Sequence, residues 1–263
     1  MRVVRLRGPD QLAVEEADRP RPGPGEALVR VHAAAITRGE LEWPLDRLPA
    51  IPSYELSGVV EEAAPGLAAG DEVFALMPFD RDGVAADYAA VSAELLVARP
   101  RTLGHAECAA IPLPALAAWQ GLFDHGRLGA GERVLIHGAA GAVGGYAVQL
   151  ARAAGADVIA DVAEAADPVD LVFDTAGGER LRRSPEVLRD GGRLVSVAEE
   201  PPGDGVYFVV ESNRDQLGEL ARRIDAEELR PAPVEVYPLE DAREAFARSL
   251  ERGHGRKVVL EDA

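Results

Sequence analysis

The chain has 263 residues, a formal net charge of −17 and one cysteine, Cys108. That charge excludes nucleic acid and anionic membrane surfaces as partners; the lone cysteine excludes disulfides within the chain and thiolate zinc sites. No stretch reaches the ~20 apolar residues of a membrane span and the N-terminus lacks a signal-peptide pattern, so the expectation is a soluble cytoplasmic protein of two modest domains.

Residues 2–6 and 11–16 alternate like paired strands, and the Pro/Gly cluster from Pro20 to Gly25 ends them. Strands follow at 27–34, 59–62, 72–76 and 88–91, with glycine turns at Gly66, Gly70 and Gly83, the pattern of a small barrel-like β domain. A helix is predicted over 113–123. Arg133 to His137 then reads as a buried parallel strand, followed by glycines at 138, 141 and 144 in a G-x-x-G-x-x-G spacing. Val143, Ala147, Val148, Leu150 and Ala151 recur at helical spacing until Gly155, and 157–160 is a second strand. This order brings backbone N–H groups and a helix N-terminus to one point, where a pyrophosphate can sit. Beyond it the pattern gives a strand at 170–174, a turn at Gly177 and Gly178, and a helix over 180–188. Strands at 193–197 and 206–210 and a helix over 214–225 complete an alternation that implies a parallel, doubly wound sheet. Pro231 and Pro233 mark the exit, and the tail holds a helix over 239–252 and a strand at 257–260. Lys257 is the sole lysine, and with the many arginines and alanines it suggests a GC-rich bacterial genome.

Several stretches together resemble one family: Arg19 to Val31 (RPRPGPGEALVRV), Pro52 to Val60 (PSYELSGVV), Gly70 to Phe74 (GDEVF) and Ala118 to Leu122 (AWQGL). Glu132 to Gly144 (ERVLIHGAAGAVG), Asp170 to Gly178 (DLVFDTAGG), Gly191 to Val197 (GGRLVSV) and the tail (YPLEDAREAF, GRKVVL) continue the match over nearly the whole chain. The chain resembles the zinc-independent medium-chain dehydrogenases/reductases of the quinone oxidoreductase and enoyl reductase type. The resemblance implies an α/β fold: a GroES-like β-rich domain of residues 1–117, completed by 232–263, and a truncated doubly wound Rossmann domain of 118–231. It also implies a cleft in which a nicotinamide cofactor, NAD(P)H, reduces an activated double bond or a quinone. Gly138, Ala140, Gly141, Ala142, Val143 and Gly144 would hold the pyrophosphate. Thr175, Val197 and the strand with Phe208 and Val209 would line the nicotinamide side. Family members commonly dimerise through their last Rossmann strand, so residues 206–210 (VYFVV) suggest a homodimer.

Departures from the family pattern bear on the chemistry. Zinc-dependent relatives keep Gly-His-Glu where this chain has Ser53, Tyr54 and Glu55, so no metal is expected. Tyr54 is a candidate hydrogen-bond or proton donor to substrate, with packing at a domain junction as the competing role. Glu55 is expected to hold its loop by hydrogen bonds, and His137 to be a satisfied core histidine. Gly-Val-Asn-Pro is replaced by Ala35, Ile36, Thr37 and Arg38, which leaves the Thr37 hydroxyl as the second catalytic candidate. Ala117 stands where relatives carry a threonine. Between Gly155 and Asp170 about two dozen family residues are missing, which predicts a sheet one or two strands short of the usual six. What remains, 156–169, carries Asp157, Asp161, Glu164 and Asp167 and no basic residue.

If 157–160 is the second strand, Asp161 is the acidic residue that accepts hydrogen bonds from an NAD ribose, and NADH is favoured over NADPH. If the same stretch is a later family strand, the ribose site is deleted outright. Three readings follow: a hydride-transferring reductase acting on a small-molecule substrate, a redox-neutral cyclase or isomerase that has lost cofactor use, and a non-catalytic scaffold.

Overall fold

The chain starts with a hairpin of β1 (Arg2–Leu6) and β2 (Leu12–Glu16), then a long strand, β3 (Glu26–Ile36). β4 (Glu55–Glu62), β5 (Glu72–Leu76), β6 (Tyr88–Ser92) and β7 (Val97–Ala98) follow. After them come α1 (His105–Ala109) and α2 (Pro112–Trp119), the latter running into a wider π turn over Gln120–His125. The glycine motif lies between β8 (Arg133–His137) and α3 (Ala142–Ala153). Next are β9 (Asp157–Ile159), β10 (Val169–Asp174), α4 (Glu179–Arg183), β11 (Leu188–Ser196), β12 (Val206–Tyr207) and α5 (Arg214–Asp225). β13 (Val234–Pro238), α6 (Ala242–Leu250) and β14 (Lys257–Glu261) end the chain. The structure, a computed structural model, describes residues 1–8, 11–43, 45–160, 167–251 and 255–261.

Packing divides these elements into two units, residues 1–112 with 212–263 and residues 113–211. In the first, a mixed sheet runs β13-β14-β3-β4-β5-β7. β3 is long enough to pair with β6 along its first half and with β14 along its second. Alternation is why these strands form: in β6 (YAAVS) every second residue is buried. A cluster of Val4, Leu6, Ile36, Phe246, Val258 and Leu260 closes the core beneath α6. α5 follows the expected span, 214–225: Asn213 caps it by accepting from the Gln216 N–H at 3.0 Å, and Leu217, Leu220, Ala221 and Ile224 form its buried stripe. The sequence pattern assigned this helix to the second domain (118–231). The structure ties it to the first: Asp225 accepts from the Arg101 N–H at 2.8 Å, and Thr102 donates to the same oxygen.

The second unit is a parallel sheet of five strands among the described residues, in the order β12-β11-β10-β8-β9. β10 (VDLVFD) is buried at every position, as expected of a central parallel strand. β9 lies beside β8, at the place of the second strand of a doubly wound sheet. Asp161 lies outside the described residues. Three elements differ from expectation for local reasons. Pro185 follows the short α4, so the predicted helix over 180–188 ends as a 3-10 turn at Ser184–Val187. β11 begins at Leu188, with a register shift against β10. The predicted strand over 206–210 pairs only at Val206 and Tyr207.

Candidate functional site

In the second unit the glycine turn is built from what its residues lack. Gly138 adopts φ +78, and a Cβ there would lie 2.4 Å from the Thr175 hydroxyl oxygen. A Cβ at Gly144 would lie 2.1 Å from the carbonyl oxygen of Gly138. Only glycine lets the chain fold back this tightly. Gly141, the N-cap residue of α3, donates its N–H to the Gly138 carbonyl at 2.8 Å. The next N–H groups, those of Ala142, Val143 and Gly144, open the helix and have no carbonyl one turn back to bond. The turn thus presents bare backbone and the positive end of a 12-residue helix, the arrangement that takes a pyrophosphate.

The other predicted cofactor-side residues gather at the same end of the sheet. Thr175 donates both its N–H (3.2 Å) and its hydroxyl (2.7 Å) to the His137 carbonyl, which fastens β10's turn to β8's. Val197 donates its N–H to the Asp174 carbonyl at 3.1 Å. Phe208 bonds Ser196 through its backbone and lies 4.5 Å from the His125 ring, whereas Val209 is 56% exposed. Beneath them runs a buried polar row, His137, Asp174 and Ser196, in register across β8, β10 and β11. Asp174 accepts from the Gly177 N–H at 2.9 Å and from the Ser196 hydroxyl at 3.0 Å. His137 is buried as expected but not satisfied. Neither ring nitrogen makes a hydrogen bond among the described residues, and Nδ1 stands 3.5 Å from Asp174 Oδ1. Burial pushes its imidazole below the ordinary value, although the Asp174 charge pulls it up.

In the first unit a charged network surrounds Thr37. Lys257 Nζ lies 2.6 Å from Glu55 Oε1 and donates to the Thr37 hydroxyl at 2.8 Å. That hydroxyl in turn donates to Glu55 at 3.2 Å. Glu40 accepts the backbone N–H of Thr37 at 2.8 Å and of Ser53 at 2.9 Å, with Ser53 at φ +63. Burial pushes the Glu40 carboxyl up to about 8, although those two N–H groups and the Lys257 charge favour its ionised form. Glu40 thereby fixes the loop that carries Tyr54. The Tyr54 ring is fully buried against Trp43 and Phe79, at centroid distances of 5.7 and 5.3 Å. Its hydroxyl accepts from Arg47 at 3.0 Å, and Arg47 also bonds the Phe79 carbonyl. Burial raises the phenol above its ordinary value, and Arg47 partly opposes this.

Glu40, Arg47 and Lys257 were not singled out from sequence as site residues. A glutamate three residues after a candidate hydroxyl and a sole lysine in a strand were the available signals. Neither names its partner.

Residues 23–101 match the family described as "Alcohol dehydrogenase GroES-like domain", and 154–260 match "Zinc-binding dehydrogenase". A "Probable zinc-binding oxidoreductase, mitochondrial" of Arthroderma benhamiae is 32% identical, over 92% of this chain and 91% of its own. The chain belongs to the medium-chain dehydrogenase/reductase family. It falls among that family's quinone oxidoreductase and enoyl reductase members, and it is an enzyme of the reductase type. An "NADPH-dependent alkenal/one oxidoreductase, chloroplastic" of Arabidopsis thaliana is 29% identical over 89% of this chain and 72% of its own. The solved quinone oxidoreductase of Coxiella burnetii superposes with a TM-score of 0.88 at 25% identity, over 100% of this chain and 99% of its own. The Arthroderma alignment spans 301 positions against the chain's 263 residues, so that relative carries at least 38 positions absent here. The missing family segment after Gly155 is one place for such a gap.

Zinc and dinucleotide fare differently against these residues. Among the described residues no group of three or more His, Cys, Asp or Glu could hold a metal ion. The glycine turn, by contrast, has the bare backbone and the helix start that a dinucleotide pyrophosphate needs.

Proposed function

We propose that this chain is a zinc-independent reductase that transfers hydride from a nicotinamide dinucleotide to an activated double bond, as in an enone, an enoyl group or a quinone. One observation carries the reading: Gly138, in the turn before a 12-residue helix, and Gly144, in that helix's first turn, occupy positions where any side chain would strike backbone or Thr175. The bound dinucleotide would supply the hydride. Gly138, Gly141 and the N–H groups of Ala142, Val143 and Gly144 would hold its pyrophosphate, with Ala140 at the tip of the turn. Thr175, Val197, Phe208 and Val209 would border the nicotinamide half. For the substrate's oxygen the first unit offers the Tyr54 phenol, whose ionisation burial disfavours, and the Thr37 hydroxyl, held between Lys257 and Glu55. The names of the Arabidopsis and Coxiella relatives support the substrate class.

NADH is the favoured form. Residues 156–169 include no cation, and Asp157 and Asp167 pair with Arg133 at the far end of the sheet. A 2′-phosphate set against Asp161 or Glu164 would cost about 4 kcal/mol for each unit charge pair at ~4 Å, at an effective dielectric near 20. A free ribose hydroxyl can instead donate to Asp161. The reading extends to a cytoplasmic bacterial homodimer. Its dimer contact would be the edge strand β12, where Val206 and Tyr207 are partly exposed, and light scattering that shows a monomer at micromolar concentration contradicts it. The shortened segment also favours a second reading, a redox-neutral enzyme on the same scaffold. The deciding experiment supplies purified protein with NADH and a panel of enones, enoyl thioesters and quinones and follows nicotinamide absorbance. Substrate-dependent oxidation supports the reductase; no oxidation, together with no cofactor binding, replaces it with the redox-neutral enzyme.

A further inference from the structure

The chain leaves β8 toward β9 on one side and returns through β10 toward β11 on the other, so the strand order reverses between β8 and β10. Ligands of open parallel sheets bind outside the carboxyl ends of the strands at such a reversal. Two turns meet there. The glycine turn after β8 touches the turn after β10 closely enough that a Cβ on Gly138 would lie 2.4 Å from Thr175 Oγ1 and 3.3 Å from Ala176 Cβ. The second turn is held rigidly: Asp174 accepts the Gly177 N–H at 2.9 Å, and Glu199 accepts the Gly178 N–H at 2.7 Å. It opens directly into α4, whose second residue is Arg180.

α4 carries three arginines in differing circumstances. Arg182 lies 3.4 Å from Glu179 and 3.8 Å from Glu199, and Arg183 lies 3.0 Å from Glu186. The ion pairs formed by α4 among the described residues are those of Arg182 and Arg183, while Arg180 is exposed. Its charge reaches the end of β8, where it adds to burial in holding the His137 imidazole down. In a chain of net charge −17 this is a cation at the start of the helix that follows the turn packed against Gly138.

We propose that Arg180 is the side chain that meets the dinucleotide's pyrophosphate, completing a site whose other donors are all backbone. The inference rests on the reductase reading above. The pyrophosphate, rather than a 2′-phosphate, is its partner because of the strand order. The adenosine ribose belongs at the end of β9, on one side of β8, and Arg180 rises from β10 on the other side. Arg180 therefore strengthens NADH and NADPH alike and leaves the preference between them to the β9 edge.

Calorimetric titration of NADH and NADPH into wild type and variants tests this. Arg180→Ala should raise both dissociation constants by about tenfold, the effect of losing one charge-assisted hydrogen bond, and Arg180→Glu should raise them further. Arg180→Lys should recover part of the loss, because it restores the charge without the fork. Arg182→Ala, at an arginine already tied to Glu179 and Glu199, should stay within about twofold of wild type. Unchanged NADH binding in Arg180→Ala overturns the assignment, as does a loss confined to NADPH, which would place the arginine at a 2′-phosphate. Wild type that binds neither nucleotide overturns the reductase reading and this inference with it.

Discussion

In the first unit the candidate site is made of charge: buried Lys257, Glu55 and Glu40 meet around the half-buried Thr37 within hydrogen-bond distance. In the second it is made by leaving side chains out, with Gly138 in the turn before α3 and Gly144 in its first turn keeping the backbone close. The physical consequences are opposite. A buried charge cluster resists the loss of any one member, because the remaining charges are left without compensation. A backbone site resists the gain of atoms, because each added atom strikes main chain that cannot move cheaply. Substitution should therefore hurt the first unit by deletion and the second by addition.

The sharpest break comes at Lys257. Lys257→Met removes the cation that stands 2.6 Å from the fully buried Glu55 and should cost about 3–5 kcal/mol in urea unfolding, whereas Lys257→Met with Glu55→Leu should regain most of it. A single-variant loss below about 1 kcal/mol would mean that the pair is solvated in solution.

Glu40 gives the same contrast in its pH dependence. Its carboxyl is pushed from 4.5 to about 8 in the fold, so the folded protein binds the proton more tightly than the unfolded chain. The stability this contributes is full below pH 4.5 and is lost as pH rises to about 8. Wild type should lose up to a few kcal/mol across that window relative to Glu40→Gln, whose profile should be flatter. Parallel profiles would show that Glu40 titrates normally.

Adjacent glycines test the second unit. Gly144→Ala drives a methyl group to within 2.1 Å of a backbone oxygen and should cost about 1–3 kcal/mol and abolish NADH binding. At Gly145 the nearest atom to an added Cβ is 3.9 Å away, so Gly145→Ala should gain about 0.5–1 kcal/mol from helix propensity and leave binding intact. Thermal unfolding and calorimetry read both. Equal responses would remove the steric argument.

The smallest stability effect is expected at Tyr54. Tyr54→Phe keeps the packing on Trp43 and Phe79 and removes one hydrogen bond from Arg47, a loss of about 1 kcal/mol or less. If the phenol donates to the substrate, turnover should nevertheless fall by about 10²-fold. Turnover within twofold of wild type would leave Tyr54 a packing residue.

The same contrast explains what could be read from the amino-acid order. The glycine turn is local: strand, turn and helix occupy 21 consecutive residues, 133–153, and the spacing alone announces them. Thr175 and Val197 were named only through the family resemblance, by their positions in the matching stretches. The charged network joins residues 37, 40, 55 and 257, and no periodicity brings a lysine in the last strand to a glutamate two hundred residues earlier. The antiparallel pairing of β14 with β3 does so, and only the fold shows it. α5 was recognised to the residue, yet placed in the wrong unit, because its stripe of Leu217, Leu220 and Ile224 says that a face is buried without saying against what. The π turn at 120–125 left no mark in the sequence pattern, which reads as one continuous helix.

The central claim is that a chain lacking the usual adenosine segment still binds a dinucleotide through a glycine turn and prefers the form without a 2′-phosphate. Calorimetric titration of NADH and of NADPH into the wild-type protein at one ionic strength tests it most directly. The account predicts a measurable dissociation constant for NADH and a weaker one for NADPH. NADPH bound tighter than NADH, or no heat from either, contradicts it.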